Sequence, residues 1–148
     1  MRPEIDHIHM TVSDLLRAER FYDKLLPLLG FDLSRKERGT VPEHEYEVVE
    51  YNDPGFSLGL VNPRGAYLDE RVSRRKPGAM HHLAFRAESR ACVDELFEKV
   101  AAIPAEIVHP PRFYPEYCPD YYAFFFKDTE GMELEIVHFD RVGAWPTA

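Results

Sequence analysis

The feature that most constrains this chain of 148 residues is an internal repeat with an offset of 75 residues. A shift of 75 residues carries His7 onto His82 and Met10 onto Phe85 without a gap. Further along, the segment 21–25 falls on 96–100. Internal repeats dictate architecture, so the sequence predicts two related modules, each beginning with a strand and then a helix, each with a histidine at the same place.

The first strand and helix of module one are the clearest local signals. Residues 6–12 alternate polar and apolar side chains, which predicts a half-buried strand with His7 and His9 on its polar face. Either Ser13 or Asp14 can cap the helix that follows, and an apolar stripe predicts this helix over 15–29.

The rest of the pattern predicts a β-α-β-β-β order in both modules. The remaining predicted strands of module one are 31–38, 45–51 and 56–61, with a turn at 39–44. In module two, strands are predicted at 81–86, 106–109, 121–127 and 132–138, and a helix at 91–103. A proline-rich aromatic loop is predicted between 110 and 119.

The length and composition predict a single α+β domain. Its hydrophobic content of 45% is enough for a core. Module one covers about 4–63, a linker 64–80, module two about 81–140, and a C-terminal tail 141–148.

The charge and the cysteines exclude several classes of protein. A net charge of −8 argues against a nucleic-acid partner, because such proteins carry a basic surface. No apolar run approaches a membrane span, and no signal-peptide pattern precedes the first strand, so we expect no membrane partner. Cys92 and Cys118 form no paired motif, which predicts reduced thiols in the cytoplasm.

Three predicted strands carry a polar residue opposite an apolar face: His7, His82 and Glu135. If they converge, two imidazoles and a carboxylate suit Zn, Fe, Mn, Co or Ni, and three protein ligands leave positions open for substrate. Each residue alone would be read as an ordinary surface side chain. The repeat favours the metal site, because His7 and His82 occupy equivalent places.

Three motifs carry a resemblance to a known family. They are the run 6–15 with Phe21-Tyr22 after it, the run His82–Phe85, and the run Asp128–Glu135. Together they resemble the glyoxalase / bleomycin-resistance / extradiol dioxygenase superfamily, also called vicinal oxygen chelate proteins. The resemblance implies two βαβββ modules forming a cup-shaped open mixed β-barrel with helices outside. It implies a metal held by His7, His82 and Glu135, and a homodimer.

The chain departs from the family pattern at one place. Many members supply a fourth ligand, usually Glu, from the last strand of module one. In this sequence that strand, 56–61, contains neither an acid nor a histidine, and the equivalent position is Gly59 or Leu60. This counts against a four-ligand glyoxalase I site and fits better with three-ligand members such as the dioxygenases and the fosfomycin-modifying thiol transferases.

Other polar residues are weighed against plainer roles. His9 is either a proton shuttle or a hydrogen-bonded wall residue. A substrate-binding role is predicted for the side chains of Tyr114, Tyr117, Tyr122 and Arg86, although aromatic strands commonly just form core. His81 is expected to point towards the helix side or solvent, without binding metal.

The sequence therefore predicts a metal-dependent enzyme with one divalent ion and an oxygen-rich small-molecule substrate that chelates it. The reaction would be of the lyase or isomerase, dioxygenase or thiol-transferase type. The alternative is a metal-free small-molecule or antibiotic-binding protein of the bleomycin-resistance type. Whether the modules pair within one chain or across a dimer is left open by the sequence.

Overall fold

The computed structural model describes residues 1–71 and 73–147. The chain divides after residue 71 into two compact units, unit one and unit two. Each unit contains one four-stranded sheet and a helix between its first two strands. The predicted α+β fold with two βαβββ modules is confirmed. Among the described helices, none combines the length and apolar character needed to cross a membrane.

Unit one is built from five main elements. These are β1 (His7–Thr11), α1 (Leu15–Leu28), β2 (Lys36–Val41), β3 (Tyr46–Asp53) and β4 (Phe56–Val61), with 3-10 helices at Leu33–Arg35, Pro42–His44 and Gly65–Tyr67. The strand order is β1-β4-β3-β2. The first strand runs parallel to the last, and the other neighbouring strands are antiparallel.

Unit two repeats this arrangement. Its elements are β5 (His82–Arg86), α2 (Arg90–Ala101), β6 (Glu106–Phe113), β7 (Tyr122–Lys127), β8 (Glu133–His138) and the short α3 (Arg141–Ala144). The strand order β5-β8-β7-β6 matches that of unit one, again with the first and last strands parallel. The same topology in both units is what the sequence repeat predicts.

Local signals explain where the first helix begins and ends. Asp14, rather than Ser13, caps α1, because its carboxylate accepts the backbone N–H of Arg17 at 2.9 Å. The helix stops before Gly30, whose φ of 95° is a left-handed conformation that favours glycine. The face that α1 buries consists of Ala18, Phe21, Tyr22, Leu25 and Leu26. Burial of this stripe fixes α1 on its sheet.

Two predicted strands, and with them the turn at 39–44 and the start of the loop at 110–119, have wrong bounds. The helix predicted at 91–103 runs from Arg90 to Ala101. The strand expected at 31–38 begins only at Lys36, because Asp32 caps a 3-10 helix in front of it, and it continues to Val41. The strand expected at 106–109 extends to Phe113 across Pro110 and Pro111. It is the edge strand of its sheet, with register irregularities on both sides of His109, and an edge strand tolerates missing N–H donors.

A partly buried ionic cluster joins α1 to the sheet of unit one. Glu19 is 4% exposed, and its carboxylate pairs with Lys36 Nζ at 2.9 Å and with the Arg38 guanidinium. Asp23 pairs with the same ammonium at 2.9 Å and accepts the Tyr51 hydroxyl. Burial disfavours the charge on Lys36, but the two carboxylates outweigh it and raise the pKa of this ammonium.

The ionic cluster generates a prediction about stability. Glu19→Ala leaves the partly buried Lys36 ammonium with Asp23 as its remaining carboxylate partner and removes the ion pair of the exposed Arg38, so we expect a loss of about 1 to 2 kcal/mol in the free energy of unfolding, measured by urea denaturation. Glu98→Ala is the matched control, because Glu98 is an exposed residue of α2, and it should change stability by less than about 0.5 kcal/mol. Equal effects of the two changes would contradict a structural role for Glu19.

Candidate metal centre

Unit two brings His82 and Glu135 together on one face of its sheet. Strand β5 pairs with β8 so that His82 lies opposite Glu133 and Ala84 opposite Glu135. The Nε2 atom of His82 lies 3.3 Å from Oε2 of Glu135. Leu134 points to the other face, where the core against α2 lies, because neighbouring strand residues alternate. Two predicted ligands thus lie within reach of one ion.

The Glu135 carboxylate is almost completely shielded from solvent, with a relative exposure of 1%. Its Oε1 atom accepts the hydroxyl hydrogen of Tyr121. Burial raises the pKa of Glu135, and the Tyr121 hydrogen bond acts in the opposite direction. Among residues 1–71 and 73–147, His82 is the single cation-forming side chain at ion-pair distance from it. This carboxylate therefore lacks a permanent positive partner.

The second ring nitrogen of His82 is also engaged. Its Nδ1 atom lies 2.8 Å from Nδ1 of His81, so one of the two nitrogens donates and the other accepts. If His82 carries its hydrogen on Nδ1, its Nε2 lone pair faces Glu135, which is the tautomer that metal ligation requires. Burial, and then the nearby Arg74 guanidinium, lower the pKa of His82, so the neutral ring is favoured.

A second, overlapping group of ligand atoms exists in the same unit. One ligand atom each from His81, His82 and Glu133 lie within 4.8 Å of one another. His81 was expected not to bind metal, yet its ring lies beside that of His82 and belongs to this group. The Glu133 carboxylate, however, is already paired with the Arg74 guanidinium. A cation bound there would face a fixed positive charge, which makes Glu135 the better carboxylate ligand.

Unit one places its predicted ligand His7 on the exposed face of β1. Its Nδ1 atom lies 2.7 Å from Oδ2 of Asp6, so the carboxylate accepts the Nδ1 hydrogen and Nε2 is left as the lone-pair nitrogen. The ring of His9 lies beside it, with centroids 4.9 Å apart. In metal sites, a histidine ligand commonly donates the hydrogen of its other ring nitrogen to a carboxylate. Asp6 has this relation to His7.

Gly59 occupies the position of β4 at which the sequence lacks a fourth ligand. Gly59, not Leu60, is on the His9 face, since Leu60 is fully buried on the other side. A Cβ built on Gly59 would lie 2.3 Å from Cδ2 of His9. The imidazole therefore occupies the space that a side chain at position 59 would need, so the observed position of the His9 ring requires glycine there.

The four residues predicted to bind substrate are placed differently from one another. Tyr114 is 3% exposed and packs in an apolar cluster on the Glu135 face. Tyr117 is 62% exposed and stacks on Tyr114. Tyr122 donates to Asp94 of α2 at 2.8 Å, on the opposite face of the sheet. Arg86 lines an open recess of about 320 Å³ beside Arg141. It lies at the end of β5 opposite to His82.

Two site residues were missed by the sequence analysis. Tyr121 bonds to Glu135, and Glu50 lies 3.4 Å from Nε2 of His9. For Tyr121 the signal was the two-residue alternation that puts it on the face of Phe125, which pairs with Glu135. For Glu50 no sequence signal existed, because its role depends on the strand register beside Gly59.

Comparison with known proteins supports the predicted family. The family model described as Glyoxalase/Bleomycin resistance protein/Dioxygenase superfamily matches residues 4–136. A Bacillus subtilis (strain 168) protein named uncharacterized protein YqjT is 28% identical over 131 residues, covering 88% of this chain and 95% of the relative.

Solved structures share the fold. A glyoxylase/bleomycin resistance protein/dioxygenase domain from Frankia sp. EAN1pec has a TM-score of 0.74 at 23% identity, covering 95% of this chain and 100% of the other. A variant of glyoxalase I from Zea mays has a TM-score of 0.65 at 20% identity, and 93% of this chain aligns with 46% of the maize protein. The family match extends over nearly the whole chain, through both modules. The chain therefore belongs to the glyoxalase/bleomycin resistance protein/dioxygenase superfamily.

Proposed function

We propose that this protein is a metal-dependent enzyme that acts on an oxygen-rich small molecule chelating one divalent ion. The observation that carries the proposal is Glu135, a carboxylate with 1% exposure whose cation-forming neighbour, His82, has a pKa lowered by burial and by Arg74. An ionised carboxylate in such a place is costly unless a positive charge compensates it. A bound divalent cation supplies that charge.

The proposed ligands in unit two are His82 and Glu135. The family resemblance adds His7 as the third proposed ligand. The Asp6 carboxylate engages Nδ1 of His7, which leaves its Nε2 lone pair for a ligand. In His82 it is Nε2 that faces Glu135, while Nδ1 contacts His81. Two imidazoles and one carboxylate suit Zn, Fe, Mn, Ni or Co. When bound, such an ion polarises a carbonyl or lowers the pKa of a bound water.

The chain's own groups around Glu135 have defined roles in this proposal. Tyr121 orients the carboxylate through its hydroxyl, and the adjacent cluster of Tyr114, Phe125 and Val137 keeps water from that face. His9 is proposed to move a proton, as its ring lies beside that of His7. Tyr117 and Arg86 remain proposed substrate contacts.

The second function that an observation favours is metal-free binding of a small molecule or antibiotic, as in bleomycin-resistance proteins. The aromatic cluster on the Glu135 face, with Tyr114, Phe125 and Phe139, would supply apolar contacts without metal. A homodimer and a cytoplasmic location likewise stay predictions from the sequence.

Metal content separates the two functions. Gently purified protein should contain about one transition-metal ion per chain by elemental analysis. We expect His82→Ala and Glu135→Gln to lose nearly all of it, and His7→Ala to lower affinity at least tenfold. His44→Ala is the control, because His44 is an exposed histidine of unit one, and it should retain the metal.

Two results would redirect the interpretation. Metal loss in His81→Ala and Glu133→Gln, but not in Glu135→Gln, would identify the overlapping group as the site instead. The absence of metal from the wild type, even after reloading, would contradict the enzyme and favour the metal-free binding protein.

The affinity for metal should depend on pH with a defined sign. A protonated imidazole cannot bind metal, and an ordinary histidine has a pKa of about 6.5. Because burial and Arg74 lower the pKa of His82, this ring stays neutral to a lower pH, so its contribution to affinity should decline only below about pH 6.5.

Arg74→Ala tests the cause of this shift. Removing the guanidinium should raise the pKa of His82 and move the decline in affinity to a higher pH. The measurement is competition with a chromophoric chelator between about pH 5 and pH 8, a range that brackets imidazole titration. A zinc affinity that stays flat over this range would contradict ligation by histidine.

A further inference from the structure

We propose that Glu50 is a positioning residue that holds His9 as the tautomer with its hydrogen on Nε2. The inference deepens the proposed function, since it rests on His9 as the group that moves a proton, but its geometry belongs to unit one alone.

The register of the two sheets shows how unit one differs from unit two. In unit two, Glu135 of β8 lies between Ala84 of β5 and Phe125 of β7. In unit one, the corresponding row places Gly59 of β4 between His9 of β1 and Glu50 of β3. Residues that pair across neighbouring strands share a face. The carboxylate of this row therefore lies on the last strand, β8, in unit two, but on β3, the neighbour of the last strand, in unit one.

Gly59 makes the contact between the two flanking side chains physically feasible. The nearest heavy atoms to a Cβ built on Gly59 all belong to the His9 ring, at 2.3 to 2.9 Å. The imidazole thus lies directly over the glycine, with its Nε2 atom on the side of β3. Without a side chain at position 59, the side chains of His9 and Glu50 meet across β4.

The ring nitrogens of His9 face two different groups. Its Nε2 atom lies 3.4 Å from Oε2 of Glu50, and its Nδ1 atom is 3.4 Å from the hydroxyl oxygen of Tyr46. A carboxylate accepts but does not donate, so it favours the hydrogen on Nε2, and the hydroxyl then donates to Nδ1. Tyr46, His9 and Glu50 thus form a row of three contacting polar groups. Glu50 stands to His9 as the carboxylate of a hydrolase triad stands to the histidine that it orients.

Exposure supports a role beyond packing. The side chains of His9 and Glu50 are 28% and 33% exposed, so the pair is open to a ligand yet partly desolvated. The equivalent positions in unit two hold Ala84 and Phe125, which cannot exchange a proton. The scaffold alone therefore does not require an imidazole and a carboxylate in this row.

The tautomer can be read directly by NMR of uniformly ¹⁵N-labelled full-length protein. At about pH 8 a neutral imidazole shows distinct nitrogen shifts for the protonated and unprotonated positions. We expect His9 to carry its hydrogen on Nε2 in the wild type. Glu50→Ala should redistribute the hydrogen towards Nδ1, whereas Glu50→Gln, whose amide oxygen still accepts, should retain it on Nε2.

A second variant breaks the contact without altering any charge. Gly59→Ala forces the His9 ring to move, because its methyl group would overlap Cδ2, and it should therefore reproduce the tautomer change of Glu50→Ala. Gly55→Ala is the matched control, as its Cβ would meet nothing within 4 Å. It should leave the His9 signals unchanged.

The outcomes distinguish this inference from the proposed function. An Nδ1 hydrogen on His9 in the wild type, or an unchanged tautomer in both Glu50→Ala and Gly59→Ala, would overturn the role of Glu50 even if metal is bound. Absence of metal with the expected tautomer changes would overturn the metal-dependent enzyme and leave the positioning of His9 standing.

Discussion

The parallel pairing of the first and last strands is the constraint on which both modules depend. In unit two it sets Ala84 opposite Glu135, and in unit one it sets His9 opposite Gly59. Because side chains alternate along a strand, the same register sends Leu134 and Leu58 into the core. A slip of one residue would exchange the two faces, exposing the leucines and burying the carboxylates against the helix. The core and the polar face are thus fixed by one set of backbone hydrogen bonds.

The buried carboxylates of the described residues show how charge is arranged on this frame. Glu19 has two cationic partners, Glu133 has Arg74, and Asp128 accepts the backbone N–H groups of its own turn. Glu135 has a tyrosine hydroxyl and a histidine with a lowered pKa. The negative charges of the other three buried carboxylates are thus balanced by cations or by backbone N–H groups, whereas the charge of Glu135 is balanced only weakly. This contrast is better evidence for a bound cation than the number of nearby histidines, because exposed acidic and imidazole groups are common without metal.

Much of the fold was predictable, because its signals are local. The alternation of polar and apolar residues predicted β1 and β5, and an apolar stripe with a capping side chain predicted α1. The strand β4 was predicted at its observed bounds, Phe56–Val61. The errors came where the outcome depends on neighbouring strands. The prolines in β6 end an interior strand but are tolerated at an edge, and edge position is a property of the sheet.

The site divides in the same way. His82 and Glu135 were predicted from alternation and from the family motifs, and unit two brings them together. The contact between His9 and Glu50 could not be predicted, because the two residues are separated by 41 positions and meet only through the register of three strands. The face of Tyr122 was predictable, because the alternation that puts Tyr121 on the Glu135 face puts Tyr122 on the opposite face, against α2.

The two modules also show how a repeat can diverge without changing its backbone. A row of three side chains across the sheet must fill a fixed space, so a large residue at one position requires a small one beside it. Unit two fills the row with a small, an acidic and an aromatic residue, Ala84, Glu135 and Phe125. Unit one fills it with an imidazole, no side chain and an acid, so its carboxylate lies on β3 where that of unit two lies on the last strand. The two units thus arrange the polar groups of one row differently, and the space left by Gly59 makes room for the His9 ring.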